Sequence, residues 1–148
     1  MRSLVIGLLV LLLGVVGVAR WLPLPERLAI PGSAVVLYAN NSPAHVFLSA
    51  DEKWRIPADL KEIDPHYLQA LFALEDERFP LHTGVDVVAV GRAVASNLSA
   101  GEVVSGASTL TMQLVRMLEP RPRILKSKVI EAFRATQLEM ILNKKEIL

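Results

Sequence analysis

Residues 75–84 read EDERFPLHTG and lie between two stretches of helical periodicity. Three acidic residues come first, and Pro80 and Gly84 then prevent either helix from running through the segment. Asp86 follows at once and is suited to cap the next helix. The sequence therefore predicts a sharp break between two helices, with a cluster of carboxylates at the end of the first.

Capping residues and apolar periodicity predict the helices on both sides of this break. Asp64 is the expected cap of the preceding helix, with Pro65 at its first position. The apolar face of that helix is predicted to contain Tyr67, Leu68, Leu71, Phe72 and Leu74. The helix after Asp86 is expected to end near Gly101 and to present Val87, Val90, Val94 and Leu98.

Further helices are expected in the C-terminal part. Ser108 is predicted to cap a helix that ends near Met117, and a longer amphipathic helix is predicted over residues 124–142. Asn143 and Glu146 have the spacing of a capping box, which indicates one more helix start. Because the sequence stops in the first turn of that helix, we expect the helical domain to be incomplete at its C-terminus.

The N-terminal part of the chain begins with an apolar run. Residues 3–19 contain only apolar or small side chains and are bounded by Arg2 and Arg20. A helix of this length spans roughly 25 Å, and Trp21 at the interface brings it close to the thickness of a bilayer core. The sequence therefore predicts one transmembrane anchor over residues 1–22, with a cleaved signal peptide as the alternative.

Residues 23–52 are predicted to form a linker and a two-stranded hairpin. Closely spaced prolines keep the first part from being helical. Apolar, β-branched runs at residues 33–38 and 45–49 then flank the turn-forming stretch NNSP at residues 40–43. Residues 53–148 follow as the helical domain. The expected fold class is mainly α, with a small N-terminal β-hairpin and one preceding transmembrane helix.

Composition excludes several classes of site. The chain has 148 residues and a net charge of +1, which gives no overall case for nucleic-acid binding. It contains no cysteine, so disulfides and cysteine-based metal sites are excluded. Any chemistry must therefore come from carboxylates, hydroxyls, histidines and basic side chains.

Glu75, Asp76 and Glu77 are the first candidates for catalysis. Carboxylates at the carbonyl end of a helix bind protons more strongly, which suits a general base near neutral pH. A solvated helix end would have the same composition. Phe79 and His82, which follow at fixed spacing, favour the functional interpretation.

A second candidate is the segment GASTLTMQ at residues 106–113. Small and hydroxyl residues before a helix leave backbone N–H groups free for an anion such as a diphosphate, although an ordinary Ser-capped helix has the same pattern. Arg116 lies about two turns further on and shares that face. Lys128 and Glu131 are neighbours on one helix face, as in a binding site or in a simple surface ion pair.

Together these segments resemble the family 51 glycosyltransferases, the peptidoglycan glycosyltransferase domains of class A penicillin-binding proteins and of monofunctional transglycosylases. Residues 75–84 match every fixed position of the family's Glu-Asp-x-x-Phe-x-x-His-x-Gly motif. Residues 106–113 match its Gly-Gly-Ser-Thr-x-Thr-Gln-Gln pattern, apart from Ala107 and Met112. This pair of motifs at this spacing is highly specific.

The resemblance extends toward the C-terminus with some departures. Lys128 and Glu131 match the family's Arg-Lys-x-x-Glu motif, although Ser127 stands where arginine is common. Residues 144–148 are similar to the opening of the fourth motif, and the remainder of that motif and the fifth are missing. Met112, together with Trp54-Arg55 and the paired prolines after Leu118, is most similar to the 1C type of penicillin-binding protein.

The resemblance implies a lysozyme-like helical domain that polymerises lipid II with inversion at the donor MurNAc anomeric carbon. Glu75 would be the general base that deprotonates the acceptor hydroxyl, and Glu131 would organise the second subsite or assist departure of the leaving group. The diphosphate leaving group requires cations or a divalent metal, Mg²⁺ or Mn²⁺, and no other cofactor is implied. The residues expected to bind substrate are Asp76, His82, Ser108, Thr109, Gln113, Arg116, Lys128 and Lys144.

The same resemblance implies partners and a location. The expected partners are lipid II, the growing glycan strand, membrane lipid and other cell-wall synthesis proteins, but no nucleic acid. The expected location is the bacterial cytoplasmic membrane, with a single-pass anchor and the catalytic domain on the outer side. The apolar pair Val103 and Val104 is interpreted either as a loop that dips into lipid or as a loop packed on its own core.

Two alternatives to a transferase stay open. A lysozyme-like hydrolase of cell-wall polysaccharide also uses two carboxylates on a helical scaffold. A non-catalytic, membrane-anchored scaffold protein would need none of this chemistry. Because the C-terminal motifs are missing, we expect the 148-residue fragment itself to be inactive.

Overall fold

The computed structural model describes Gly7, Gly14 and residues 17–148, and these residues form a mainly helical structure. Two short strands come first, β1 (Val35–Leu37) and β2 (Pro43–Val46). The α-helices that follow within residues 23–148 are α1 (Pro65–Glu75), α2 (Val87–Ala100), α3 (Leu110–Leu118), α4 (Leu125–Glu139) and α5 (Lys144–Ile147). Short 3₁₀ helices cover Glu26–Ala29 and Phe79–Leu81. The predicted fold class, mainly α with a small hairpin, is confirmed.

The predicted transmembrane anchor over residues 1–22 lies largely outside the described residues and stays a prediction. Of that segment, residues 17–21 are helical, and the N–H of Leu22 donates to the carbonyl of Val18 at 3.1 Å. None of the helices in the described part of the chain is long and apolar enough to span a bilayer.

The hairpin forms where the sequence predicts it, with a shift in its second strand. β1 and β2 pair antiparallel, with Val35 opposite Val46 and a bulge between Val36 and Leu37. β2 begins at Pro43, a residue that we placed in the turn. Proline is tolerated there because a two-stranded sheet has only edge strands, where a missing N–H costs little.

Most predicted helix starts are confirmed by their caps. The Asp64 carboxylate accepts from the N–H of His66, and Asp86 accepts from two N–H groups of α2. Asn143 and Glu146 form a complete capping box at α5. The prediction that Ser108 caps α3 is wrong by one residue, because the Thr109 side chain accepts from the N–H of Met112.

The predicted long helix over residues 124–142 is also shorter than expected. α4 ends at Glu139, and the N–H of Met140 bonds to carbonyls of the preceding turn. The chain then turns within three residues to bring Asn143 to the start of α5. Apolar periodicity continues through this turn, so periodicity alone could not locate the end of the helix.

The compact core lies between α3 and α4 rather than under α1 and α2. Met112, Val115 and Leu118 from α3 pack against Ala135 and Leu138 from α4. On α1 and α2, several predicted apolar-face residues are instead mostly exposed, namely Tyr67, Leu74, Val87, Val94 and Leu98. Periodicity identifies the apolar face of a helix, but only the packing decides how much of that face another element covers.

A polar joint attaches the N-terminal segment to α4. The buried Gln137 amide donates to the carbonyls of Ala19 at 2.9 Å and Leu22 at 2.7 Å. Arg134 donates to the Pro23 carbonyl and to the Gln137 amide oxygen, both at 2.7 Å. These side chains satisfy carbonyls at the end of a helical segment, where intrahelical donors run out. The start of the predicted linker is therefore docked on the domain.

We expect Gln137→Leu to lower the unfolding free energy by about 1–3 kcal/mol, because carbonyls of Ala19 and Leu22 lose their donor. Chemical or thermal unfolding measures this change. Gln69→Leu removes an exposed amide from α1 and should change stability by less than about 0.5 kcal/mol. Equal losses of unfolding free energy in the two variants would contradict the contribution of the Gln137 hydrogen bonds to Ala19 and Leu22.

Gly84 brings the end of the acidic segment directly against the backbone of α4. Its φ is 87°, and a Cβ at this position would lie 2.5 Å from the carbonyl carbon of Ala135 and 2.5 Å from the nitrogen of Thr136. Backbone atoms cannot rotate away as a side chain can, so glycine is required here. The Gly84 carbonyl also accepts from Thr109 Oγ1 at 2.6 Å. One glycine thus joins the acidic segment to both α3 and α4.

Gly84→Ala is expected to lower the unfolding free energy by more than about 2 kcal/mol, because positive φ costs an L-residue about 1–2 kcal/mol and the contact with α4 adds to it. Gly91→Ala is the matched control. A Cβ at Gly91 meets nothing within 4 Å, so this change should be neutral or stabilising. The two variants are compared by thermal unfolding, and similar melting temperatures would contradict the close approach.

Candidate active site

Glu75 and Gln113 bring the two sequence-predicted segments together. Glu75 is the last residue of α1, and its carboxylate is exposed. Gln113 lies on α3 and donates its amide to Glu75 Oε2 at 2.7 Å. The amide fixes one carboxylate oxygen, and the exposed carboxylate retains further acceptor capacity. This arrangement suits a base that must be both oriented and accessible.

Asp76, the residue after Glu75, and His82 are buried and bonded to each other. His82 Nε2 lies 2.9 and 3.1 Å from the two Asp76 carboxylate oxygens. Asp76 also accepts from the N–H of Leu110, at the start of α3, at 2.9 Å. A carboxylate there satisfies a free N–H of the helix and complements its dipole. The pair thereby positions α3 relative to Glu75, whereas the substrate contacts predicted for Asp76 and His82 stay predictions.

Arg116 and Glu131 form a bidentate ion pair between α3 and α4. Arg116 donates to the two Glu131 oxygens at 2.9 and 2.7 Å, and the Glu131 side chain is only 3% exposed. The Arg116 side chain is 30% exposed and lies 3.5 Å from Ser108 Oγ. The buried carboxylate therefore holds a partly exposed guanidinium beside the loop that precedes α3.

The ion pair determines the protonation of Glu131. Hydrogen bonds from Arg116 are the main cause that lowers the pKa of Glu131, against the opposing effect of burial. The charges of Arg116, Lys128 and Arg121 lower this pKa further. Glu131 is therefore ionised near neutral pH and has no proton to donate to a leaving group.

The other predicted cations differ in their surroundings. Lys128 is exposed and pairs with no carboxylate in the described part of the chain. Lys144 is held by Glu139, whose oxygens lie 2.8 and 2.7 Å from Nζ, and it sits 4.2 Å from the centroid of the Phe79 ring. Thr109, which the sequence predicts as an uncharged substrate contact, is buried as the cap of α3. Of the predicted cations, Lys128 is thus the one most available to a ligand.

Two adjoining cavities share the loop at residues 106–108. A polar cavity of about 170 Å³ lies beside Glu75 and reaches Arg78 and Arg92. A larger groove of about 420 Å³ contains Lys128 and is otherwise mainly apolar. Its apolar lining includes Val90, Val94, Val103, Leu125, Val129 and Ala132. Residues 106–108 therefore border both the polar cavity at Glu75 and the apolar groove at Lys128.

Asn97 shapes the loop between α2 and α3. Its side-chain oxygen accepts from the N–H groups of Val104 and Ser105, both at 2.9 Å, and its amide donates to the Ser105 carbonyl at 3.1 Å. Val103 is 83% and Val104 57% exposed. The interpretation that these valines pack on the protein's own core is therefore wrong, and their side chains face outward.

The described residues do not assemble a protein-based metal site. Within residues 17–148, together with Gly7 and Gly14, no three His, Cys, Asp or Glu side chains converge to hold an ion. The divalent metal considered from the sequence stays a prediction.

Comparison with known proteins shows the family of the chain. A family model described as Transglycosylase matches residues 40–148, which include every helix from α1 to α5. The chain belongs to the transglycosylase family. Its transglycosylase segment thus includes the Glu75–Gln113 contact, the Arg116–Glu131 pair and both cavities.

Several curated proteins are similar to this transglycosylase chain. Penicillin-binding protein 1C of Escherichia coli is 41% identical over 89% of the chain and 17% of that protein. Penicillin-binding protein 1A of the same organism is 46% identical over 66% of the chain and 12% of that protein. Penicillin-binding protein 1A of Aquifex aeolicus is 34% identical over 99% and 20%. The chain therefore spans at most a fifth of these relatives.

Sequence reasoning missed two residues that organise the site. Asn97 carries no motif and is recognisable only as a polar side chain near the end of an amphipathic helix. Glu139 lies on the same side of α4 as Glu131 and Ala135, at i, i+4 and i+8, and its side chain is 4% exposed. An acidic residue in the register of a buried face is the one signal that could have identified Glu139.

Glu131→Gln should destabilise the fold in a pH-dependent way. The Arg116 guanidinium holds the pKa of Glu131 below its ordinary value of 4.5 in the folded state, so ionisation of Glu131 stabilises the fold above that pH, and this contribution is lost as the pH falls. We expect the variant to be less stable than wild type at pH 7 and the difference to narrow below pH 4.5. Denaturant unfolding at both pH values measures it.

Glu62→Gln, which changes an exposed carboxylate, provides the control and should follow wild type at both pH values. A Glu131→Gln deficit that stays constant with pH would contradict the contribution of the ion pair.

Proposed function

We propose that this chain carries the glycosyl-transfer site of an enzyme that polymerises lipid II into peptidoglycan strands. The observation that carries the proposal is the polar cavity beside Glu75 and the apolar groove that adjoins it across residues 106–108. Lipid II combines sugars and a diphosphate with a long polyprenyl chain, so it needs adjoining sites of both kinds. Membership in the transglycosylase family supports the same reaction.

In the proposed reaction, Glu75 acts as the general base. The acceptor 4-hydroxyl attacks the anomeric carbon of the donor, its proton moves to Glu75, and the bond to the diphosphate oxygen breaks with inversion. A sugar hydroxyl is a weak nucleophile, so removal of its proton as the new bond forms lowers the barrier. Gln113 supports this role because it orients the carboxylate without burying it.

We further propose that Arg116 and Lys128 stabilise the departing diphosphate. Negative charge accumulates on the leaving group, and preorganised cations lower the energy of that state. Arg116 is preorganised by Glu131 and reaches Ser108, while Lys128 is exposed within the apolar groove. Glu131 then acts by positioning Arg116. The predicted assistance of leaving-group departure by Glu131 would then be indirect, through Arg116.

The cations beside the site favour a transferase over the lysozyme-like hydrolase. Such a hydrolase needs one protonated carboxylic acid and one ionised carboxylate. Arg116 lowers the pKa of Glu131, so Glu131 could serve only as the ionised member. A neutral polysaccharide does not require cations, whereas a diphosphate leaving group does, and Arg116 and Lys128 are available for it.

The diphosphate itself is the proposed carrier of any divalent metal. The described residues supply no cluster of carboxylates or histidines for one. Mg²⁺ or Mn²⁺ would in that case neutralise charge on the diphosphate oxygens, next to the cations of the protein.

We also propose that the enzyme works at the outer face of the bacterial cytoplasmic membrane, anchored through residues 1–22. A polyprenyl-linked substrate remains in the bilayer, so the site must lie at its surface. The exposed Val103 and Val104 supply an apolar contact for that surface, and Val103 also lines the groove proposed for the lipid chain. Other cell-wall synthesis proteins are the proposed partners at this location.

Glu75→Gln is expected to reduce glycan synthesis by at least about 100-fold, because the variant keeps the shape of the side chain but lacks the base. The measurement is polymerisation of labelled lipid II by the full-length protein and its variants. Glu62→Gln changes an exposed carboxylate away from both cavities and should retain wild-type activity.

The outcomes separate the candidate functions. Undiminished polymerisation by Glu75→Gln would overturn the proposed base. Release of sugars from preformed glycan strands, without polymerisation of lipid II, would support the hydrolase instead. Inactivity of the wild-type protein in both assays would favour the non-catalytic scaffold.

A further inference from the structure

Glu139 is a buried carboxylate to which neither the motifs nor the proposed reaction assigns a role. It is the last residue of α4, and its side chain is 4% exposed. One of its oxygens accepts from the Thr111 hydroxyl on α3, and both oxygens contact the Lys144 ammonium on α5. Glu139 thus joins three helices through charge-assisted hydrogen bonds.

Lys144 connects Glu139 to the end of α1 through Phe79 and Phe72. Its ammonium lies 4.2 Å from the centroid of the Phe79 ring, which is itself 1% exposed. Phe79 stacks on Phe72 with centroids 5.7 Å apart and an interplanar angle of 14°. Phe72 lies one turn before Glu75 on α1, so the stack supports the turn that carries the proposed base.

Glu139 is also connected to the Glu75 carboxylate through Thr111 and Gln113 of α3. Thr111 is completely buried and precedes Gln113 by two residues. Gln113 is the residue whose amide donates to Glu75 at 2.7 Å. Glu139 is therefore connected to both partners of the Glu75–Gln113 contact. It reaches the helix of Glu75 through Lys144 and Phe79, and the helix of Gln113 through Thr111.

We propose that Glu139 is a positioning residue for the glycosyl-transfer reaction, acting through the Lys144–Phe79 contact and through Thr111. The proposal rests on the function proposed above for Glu75. Lys144 contributes its charge to the Phe79 ring and to Glu139, so its role is to support the site. A contact of Lys144 to the diphosphate, as the sequence resemblance implies, would have different kinetic consequences.

The first test compares Glu139→Gln with wild type in lipid II polymerisation by the full-length protein. Glutamine keeps the shape but removes the charge that holds Lys144. We expect kcat to fall by roughly 10- to 100-fold, the range that small misplacements of catalytic groups produce, with KM within about twofold of wild type. Glu139→Asp retains the charge and should recover most of kcat.

Glu119→Gln is the matched control for loss of an ion pair. Glu119 pairs with Arg121 at 2.6 Å and with Arg134 at 3.5 Å, and neither contact touches Phe79. This variant should keep wild-type kcat and KM. Equal losses of kcat in Glu119→Gln and Glu139→Gln would show a general effect of stability and would overturn the positioning role.

The double variant Glu139→Gln with Lys144→Met separates support from substrate binding. Methionine can still pack on the Phe79 ring, and the neutral pair leaves no buried unpaired charge. If the pair supports the site, the double variant loses no more kcat than Glu139→Gln alone and keeps its KM. A rise in KM of tenfold or more with normal kcat would assign Lys144 to the diphosphate and overturn the proposal.

Wild-type activity separates failure of the proposed function from failure of the positioning role of Glu139. If wild-type protein fails to polymerise lipid II, the proposed function itself is wrong. If wild type is active and Glu139→Gln keeps its full kcat, the function stands and only the positioning role of Glu139 is wrong.

Discussion

The carboxylate of Asp76 is the contact on which the rest of the site depends. It accepts from His82 on one side and from the first N–H of α3, at Leu110, on the other. This bond places the start of α3 next to the end of α1. Glu75, the preceding residue, can then meet Gln113 at 2.7 Å. A buried carboxylate is tolerated here because each neighbour donates to it, and the same donors make its position specific.

α4 supports the site from the opposite side with two further buried carboxylates. Glu131 holds Arg116, and Glu139 holds Lys144. Between them lies Ala135, whose small side chain and backbone let Gly84 approach closely. One helix face therefore sets both the cations and the backbone path of the acidic segment. Both carboxylates are nearly inaccessible to water, whereas Arg116 and Lys144 stay partly exposed, so loss of either cation would leave a buried charge without its partner.

The loop at residues 106–108 divides two chemical environments that a lipid-linked sugar would need at once. On the polar part it borders the cavity at Glu75, and on the apolar part it borders the groove that contains Lys128. Asn97 holds the adjoining residues through three hydrogen bonds. These bonds fix the backbone of the loop that exposes Val103 and Val104. The proposed base at Glu75 therefore lies close to an apolar surface that could hold a lipid chain.

The sequence by itself determined the helical fold class, the hairpin, and most of the caps, because these depend on interactions within a few residues. It also identified Glu75 and Gln113 through the resemblance of their segments. Only the tertiary structure decided that they touch, that Asp76 and His82 are buried, and that Glu131 is buried and yet has a lowered pKa because Arg116 pairs with it. These properties arise from contacts between residues far apart in the chain, such as the approach of Gly84 to α4, which leave no local periodic signal. The extent of helix burial was likewise decided by packing, since amphipathicity shows a face but not its partner.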